Sequence, residues 1–354
     1  MEKNINIVGR KIGSGQPVFI IAEVSSNHGQ NFNHAKTLIK RAKESGADAV
    51  KFQIYTPDSI TVNVNNKFFQ IKHPKWGGQT LYHLYKKAYT PWSWFKRLKK
   101  FADNLGITFF ASAFDKTSVD FLEELKVPLH KVSSFELVDL PLIEYMAKTG
   151  KPLIISTGMA TIFEIKEAVA AARRAGAKDI ILLKCVSNYP AKAEEMNLKA
   201  LDSMRKIFNC QVGLSDHTLD IGVSVAAVSL GAVVIEKHIT ISRKIKTPDN
   251  FFSLEPDEFG SLVYNARLAQ AALGKSTLKL TTIQRRNRIL RRSLFVVKNI
   301  KKGELFTGEN IKSVRPSHGL HPRHLKTLLG KTSARKIIKG TPLKFTLIKK
   351  EKHL

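Results

Sequence analysis

Eight short runs rich in β-branched and aromatic residues recur along the first three-quarters of the chain: 18–26 (VFIIAEVSS), 49–55 (AVKFQIY), 108–114 (TFFASAF), 129–134 (LHKVSS), 152–158 (PLIISTG), 179–187 (DIILLKCVS), 211–217 (QVGLSDH) and 233–240 (VVIEKHIT). They read almost continuously apolar, as parallel strands covered on both faces do. Between them the apolar period lengthens to that of a helix. The clearest cases are NFNHAKTLIKRAKESG, PWSWFKRLKKFADNLG, TIFEIKEAVAAARRAG and EPDEFGSLVYNARLAQAALG. Gly46, Gly106, Gly176 and Gly274 fall where a helix C-terminus calls for a left-handed residue. Strand and helix alternating in this way predict an α/β chain whose residues 1–274 form a (β/α)8 TIM barrel. One connection is out of scale. Residues 56–90 separate the second strand from its helix, too long for an ordinary turn and placed at the edge where barrel active sites form. Its aromatics Phe68, Phe69, Trp76, Tyr82 and Tyr85 could cover a substrate, or pack as an extra hairpin and helix. Past Gly274, residues 275–290 read as a polar, basic connector. Residues 291–354 read as a small β-rich module, its short apolar runs punctuated by KKGE, GEN, RPSHGLHP and KGTP.

The stretch 211–240 carries the sharpest chemistry. It reads strand, helix, strand, so Asp216, His217, Glu236 and His238 are expected close together on one sheet edge. Two imidazoles beside carboxylates can hold a divalent metal; the bland alternative is that each His caps its strand. Other strand ends contribute Glu23, Gln53, Glu136 and Tyr189, and hydroxyls at Ser112, Ser134, Ser156, Ser187 and Ser215. Lys51 and Lys131 fall on strands directed at the barrel core, where lysine is rare without an anionic partner. Lysines, hydroxyls and a metal describe a pocket for a small phosphorylated acid reacting with a carbonyl. The competing expectation is that these lysines snorkel outward or form structural ion pairs with Glu23 and Glu136.

Charge complicates the picture. The net charge is +29, and residues 275–354 alone hold 22 Lys and Arg against three Glu, leaving +19. A basic end module can bind nucleic acid, but its charges are dispersed and follow no nucleic-acid-binding motif, so that reading is disfavoured. Cys185 and Cys210 offer neither a disulfide framework nor a zinc spacing, and Cys185 is expected to be a reduced core residue. No run is long enough to cross a bilayer and the N-terminus lacks a secretory apolar core. A cytoplasmic location without membrane attachment is expected.

The segments IAEVSSNHGQ, GADAVKFQIYTPDSIT, HKVSSFE, PLIISTGM, KCVSNYPA, GLSDHT and VIEKHIT together resemble the sialic acid synthases. These enzymes condense phosphoenolpyruvate (PEP) with an N-acetylated sugar aldehyde. The C-terminal module resembles their antifreeze-like (SAF) domain. LYHLYKKAYTPWSW, PDNFFSLEPDEF and SVRPSHGLHP look more like the pseudaminic acid branch than the N-acetylneuraminate or legionaminate branches. The resemblance implies a PEP site at Lys51, Ser112, Lys131, Ser134, Ser156, Ser187 and Ser215. It implies metal ligation by His217 and His238, with manganese expected and magnesium or cobalt as alternatives. Glu23, Gln53, Tyr189, Glu236 and Asp249 match positions near the sugar or the reacting centre, and Glu23, Lys51, Lys131 and Glu236 are taken as the catalytic set. Arg315 matches an arginine that the SAF domain inserts into the partner's site in a domain-swapped homodimer. The sequence departs from the family pattern at Ser112, where some members carry Thr, at Ala113, where Pro is usual, and in KIKTPD before Asp249. A Schiff-base aldolase using Lys51, Lys131 or Lys184 stays open as a different reaction class.

Overall fold

The computed structural model describes residues 3–350. The chain divides into two compact units, Met1–Gly274 and Lys275–Leu354. The first opens with a hairpin, β1 (Ile5–Ile7) and β2 (Arg10–Ile12). Eight parallel strands follow: β3 (Phe19–Glu23), β4 (Ala49–Ile54), β5 (Thr108–Ala113), β6 (His130–Val132), β7 (Leu153–Ser156), β8 (Ile180–Cys185), β9 (Gln211–Asp216) and β10 (Val234–His238). They close into a barrel in sequence order, with β10 returning to β3. Each lies within the run expected for it.

The helices are α1 (Phe32–Glu44), α2 (Pro57–Ile60), α3 (Leu81–Ala88), α4 (Phe95–Leu105), α5 (Lys116–Glu124), α6 (Leu140–Ala147), α7 (Ile162–Arg174), α8 (Ala200–Phe208), α9 (Gly222–Ser229) and α10 (Pro256–Leu273). Their ends follow from local chemistry. The Asn31 side chain accepts from the first-turn N–H groups of α1, and Thr161 and Glu164 form a reciprocal cap on α7. Gly46, Gly106, Gly176 and Gly274 all have positive φ, between 55° and 107°. The hairpin is an element the strand-helix rhythm does not announce. Its turn is Val8-Gly9, with both residues at positive φ, a conformation that Asn-Gly would signal and Val conceals. Ile5, Ile7 and Ile12 join the barrel core, and the Gln211 side chain at the start of β9 donates to Lys3 O. The hairpin therefore seals the N-terminal end, leaving the C-terminal end for chemistry.

The second unit holds α11 (Thr282–Asn287) within the expected connector, β11 (Ser293–Val296) paired antiparallel with β12 (Ile311–Val314), and α12 (Leu325–Leu328). Regular pairing is sparse; isolated bridges such as Ile300 to Ile337 and Leu305 to Thr332 do the rest. Its own small core includes Leu294, Val296, Ile300, Phe306, Ile311 and Leu343. Among the described residues no helix is long and apolar enough to cross a membrane.

Successive residues of a strand face opposite sides, and this corrects one expectation. Asp216 does not join His217. Its carboxylate turns to the helix side, where it accepts from Lys237 Nζ at 2.8 Å and Ser224 Oγ at 2.6 Å. Both charged side chains are essentially sealed from water. Burial pushes the Lys237 ammonium toward its neutral form, and Asp216 opposes that. Removing one partner of such a pair leaves an uncompensated buried charge. Lys237→Met is therefore expected to lower stability by about 3–5 kcal/mol, and the double variant with Asp216→Asn to recover most of it. Urea unfolding of the three proteins measures both.

Candidate active site

A cavity of about 480 Å³ opens at the C-terminal end of the barrel. Its floor comes from inward-facing strand positions. Lys51 Nζ lies 2.8 Å from Glu23 Oε2, 3.5 Å from Glu236 Oε1 and 3.1 Å from Ser112 Oγ. Burial disfavours its charge, but Glu23 and Glu236 outweigh that and push the ammonium's pKa up. Lys131 lacks such pairing. Its Nζ donates to Ser156 Oγ at 2.7 Å and Val132 O at 2.8 Å. Burial holds its pKa down, with Glu236 only partly offsetting this. Burial raises Glu23 despite Lys51, with Glu236 adding repulsion. For Glu236 burial is outweighed by Lys131, Lys51 and His217, so it stays the more acidic of the two carboxyls.

Hydroxyls converge beside Lys131. A Cβ at Gly158 would lie 2.4 Å from Ser187 Oγ and 2.6 Å from Ser134 Oγ. Only a glycine lets the backbone after β7 approach the two serines this closely. Ser134, Ser156 and Ser187 thus come from the ends of three neighbouring staves to one place, and can donate to an oxyanion.

The two imidazoles face each other across β9 and β10, with ring centroids 5.4 Å apart. His217 Nδ1 lies 2.9 Å from Val186 O. Burial disfavours a charge on this ring, but Cys185, the Val186 carbonyl and Asp216 outweigh it and raise its pKa; in the neutral ring, donation to that carbonyl leaves the Nε2 lone pair free, the arrangement a metal-binding histidine wants. His238 Nδ1 is buried with no hydrogen-bond partner. Burial, then His217, Lys51 and Lys237, keep the His238 ring neutral. Among the described residues no group of three or more His, Cys, Asp or Glu forms a complete cage. The donor set fits a cation held by two imidazoles, with other positions left to water or substrate oxygens.

Of the predicted residues, Glu23, Gln53, Lys51, Lys131, Ser134, Ser156, Tyr189, Ser215, His217, Glu236, His238 and Asp249 line the cavity. Gln53 donates to Glu23 Oε1 at 2.8 Å, Ser215 Oγ lies 3.3 Å from Glu236 Oε1, and Asp249 accepts from Ser25 Oγ at 2.6 Å. Ser112 sits behind Lys51, and the half-buried Ser187 stands beside Gly158 and Ser134, next to the lining rather than in it. Arg315 belongs to the second unit. Lys184 is turned aside and donates to Cys185 O.

Residues 56–90 do cover the cavity. Trp76 Nε1 donates to Pro248 O at 2.7 Å, and its ring packs on Tyr189 and Phe252. Tyr85 also lines the wall, whereas Phe68 points to solvent and neither Phe69 nor Tyr82 reaches the cavity. Cys185 and Glu136 also line the cavity, each in a setting other than the one expected for it. Cys185, read as plain core, presents its thiol to the cavity 3.8 Å from His217 Nδ1; an inward strand position was the available signal. His217, Ser134 and Lys131 overcome its burial and bring it to about 7. Glu136 follows β6, with Oε2 sealed and unbonded.

Residues 38–277 match the NeuB family and residues 291–349 match the SAF domain. The chain belongs to the NeuB family. Against a pseudaminic acid synthase of Campylobacter jejuni it is 45% identical over 327 residues, covering 92% of this chain and 95% of the relative. A Helicobacter pylori pseudaminic acid synthase is 43% identical, with 93% and 97% covered. The NeuB architecture is also seen in an N-acetylneuraminic acid synthetase from Leptospira borgpetersenii, solved with citrate. It has a TM-score of 0.73 and 32% identity, covering 81% of this chain and 95% of that one.

Glu136 gives the site a pH signature. Burial lifts its pKa from 4.5 to about 7, against the pull of Lys131. The folded protein then binds more protons than the unfolded chain between these values, so this group's contribution to stability falls as pH rises through that window. Full linkage is worth up to about 3 kcal/mol. Glu136→Gln is expected to melt close to wild type at pH 4.5 and above it at pH 8; differential scanning calorimetry across that range checks the sign.

Proposed function

We propose that this chain condenses PEP with the open-chain form of an N-acetylated amino sugar and water. The reading names 2,4-diacetamido-2,4,6-trideoxy-altropyranose as the sugar, and pseudaminic acid and phosphate as the products. The observation that carries it is the pairing, on one floor, of a hydroxyl-ringed ammonium with two facing imidazoles. Similarity to pseudaminic acid synthases over most of the chain supports the branch.

In this reading Lys131, Ser134, Ser156 and Ser187 seat the acidic groups of PEP, and Lys51 holds the remaining charge. His217 and His238 would hold a divalent cation, manganese in our reading with magnesium or cobalt as alternatives, which polarises the sugar aldehyde when bound. The methylene carbon of PEP forms a bond to the aldehyde carbon, and the aldehyde oxygen takes up the proton that the adding water releases through Glu23. Positive charge develops at the enol-ether carbon, where the nearby carboxylates of Glu23 and Glu236 favour it. Water adds there and gives its proton to Glu23, whose raised pKa suits an acceptor. The C–O bond to phosphate then breaks, the second proton of the water departs with the phosphate, and the 2-keto acid is left. Gln53 orients Glu23, while Tyr189 and Asp249 border the sugar.

We further propose a cytoplasmic homodimer in which Arg315 serves the partner's site. Mixing an Arg315→Ala chain with a Lys131→Ala chain is expected to regain activity that neither has alone. The Schiff-base reading has one observation in its favour, the depressed pKa of Lys131.

Phosphate release from PEP in the presence of the sugar, with and without manganese, is the deciding assay. Metal- and sugar-dependent release is expected in the wild type. His217→Ala and His238→Ala are expected to lose it by at least about a hundredfold with unchanged melting. Gly158→Ala should raise the KM for PEP by displacing Ser134 and Ser187. Full activity in excess EDTA, or borohydride trapping of pyruvate on Lys131, would sink the proposal.

A further inference from the structure

The loop between β10 and α10 contributes Pro248, Asp249 and Phe252 to the cavity. Apart from one 3₁₀ turn, Asn250–Phe252, it is irregular, so no backbone ladder fixes these side chains. The turn after β3 does. Asn27 is sealed from water. Its Nδ2 donates to Ile239 O at 2.9 Å and to Ser253 Oγ at 2.7 Å, and its Oδ1 accepts from Thr247 Oγ1 at 2.7 Å. Ser253 Oγ in turn donates to Asp249 O at 2.6 Å. Two residues before Asn27, Ser25 sits at φ 45°, a conformation that a residue with a side chain rarely adopts. There its hydroxyl donates to Asp249 Oδ2 and accepts from Gln53 Nε2 at 3.0 Å. Ser26 N donates to the same Oδ2 at 3.3 Å. Asp249 is thus gripped by one oxygen, and among the described residues Oδ1 has no protein partner.

Resting on the condensation proposed above, we propose that Thr247 is a positioning residue for the sugar: through the Asn27 amide it holds Asp249 where Oδ1 can accept from a sugar hydroxyl. Without Thr247 Oγ1, the buried Asn27 Oδ1 would have no partner, a state costly enough to shift the loop or draw in water. Pro248 carries any such shift onward, because its ring fixes φ between Thr247 and Asp249. Its carbonyl also takes the Trp76 indole N–H, so the same shift loosens the cover. Gly29 leaves room for the tether, since a Cβ there would lie 3.3 Å from Thr247 Cγ2. Thr247 belongs to KIKTPD, so the donor that satisfies Asn27 comes from the stretch that departs from the family pattern. Lys131, Ser134 and Ser156 stand at the ends of β6 and β7, across the barrel from β3 and β10. The tether therefore acts on the sugar and leaves the PEP seat alone.

The test is the kinetics of phosphate release, with the sugar and PEP varied separately. Thr247→Val keeps the side-chain shape and removes the hydroxyl. It is expected to raise the KM for the sugar by roughly tenfold and to leave the KM for PEP unchanged. Thr247→Ser keeps the donor and should hold the sugar KM close to that of the wild type. In an Asp249→Ala background Thr247→Val should add little, because both changes remove the same contact. Ser253→Ala, on the other arm of the Asn27 amide, serves if Thr247→Val fails to fold. Equal losses for the two substrates would overturn the proposal. So would a serine variant no better than the valine one, or full additivity with Asp249→Ala. If the wild type releases no phosphate from PEP with the sugar, the condensation itself is wrong and this assignment falls with it.

Discussion

Four ionisable side chains that water scarcely reaches share the barrel floor: Glu23, Lys51, Lys131 and Glu236. Moving any one of them alone from water would cost several kcal/mol. They survive because each is answered by another, but the answering is uneven. Lys51 sits between two carboxylates, while Lys131 has hydroxyl and carbonyl partners and no carboxylate within hydrogen-bond reach. The unevenness creates a direction. An anion entering beside Lys131, Ser134 and Ser156 meets an ammonium whose charge burial has made expensive and which gains from a new partner. The floor is thus close to neutral as a set and unbalanced at one end, which suits capture of a small multiply charged acid.

Strand alternation keeps this arrangement separate from the charges that hold the barrel together. On β9 and β10, Asp216 and Lys237 face the helices and bind each other, while Ser215 and Glu236 face the axis. The next residue along each strand, His217 and His238, turns inward again. A single step of register would exchange the two sets. The structural ion pair therefore also fixes the reactive residues, because β9 and β10 cannot slip without burying Asp216 or Lys237 unpaired.

The barrel was legible because its signals are local and repeated. Parallel strands covered on both faces leave continuous apolar runs, and helix ends leave glycines such as Gly106. Most of the floor could be read from the same strands, since Glu23, Lys51, Lys131, Ser215 and His238 follow directly from which residues end each run. What escaped depends on tertiary context. The hairpin at residues 5–12 turns through Val8-Gly9, whose composition does not advertise a turn. Asp216 looked like a site residue until the alternation of β9 was fixed by packing. Cys185 has the sequence neighbourhood of a core residue, and only the inward face of β8 brings it to His217. The apolar stripe of α3, Leu81, Leu84 and Ala88, is visible as spacing, but nothing in the sequence says that the stripe faces a cavity rather than a core. The second unit was expected to be rich in strands. Its backbone is satisfied largely by single bridges, which short apolar runs cannot distinguish from true pairing.

The imidazoles close the electrostatic argument. A divalent cation needs neutral nitrogen donors, and the surroundings that keep His238 neutral are its burial, His217, and the ammonium groups of Lys51 and Lys237. Those positive charges would also repel the cation. Glu23 and Glu236 offset them from the same floor, and Glu236 keeps one oxygen unbonded. The two carboxylates therefore do more than neutralise lysine. They would balance a cation beside the imidazoles and an anion beside Lys131 in a low-dielectric cavity, where either alone would unbalance the site. A cover over such a site is worth most when it excludes water, and Trp76, pinned to Pro248 and stacked on Tyr189 and Phe252, supplies it. The long segment after β4 and the buried charges beneath it are two parts of one solution: the charges make the chemistry possible, and the cover keeps the attraction between them from being screened.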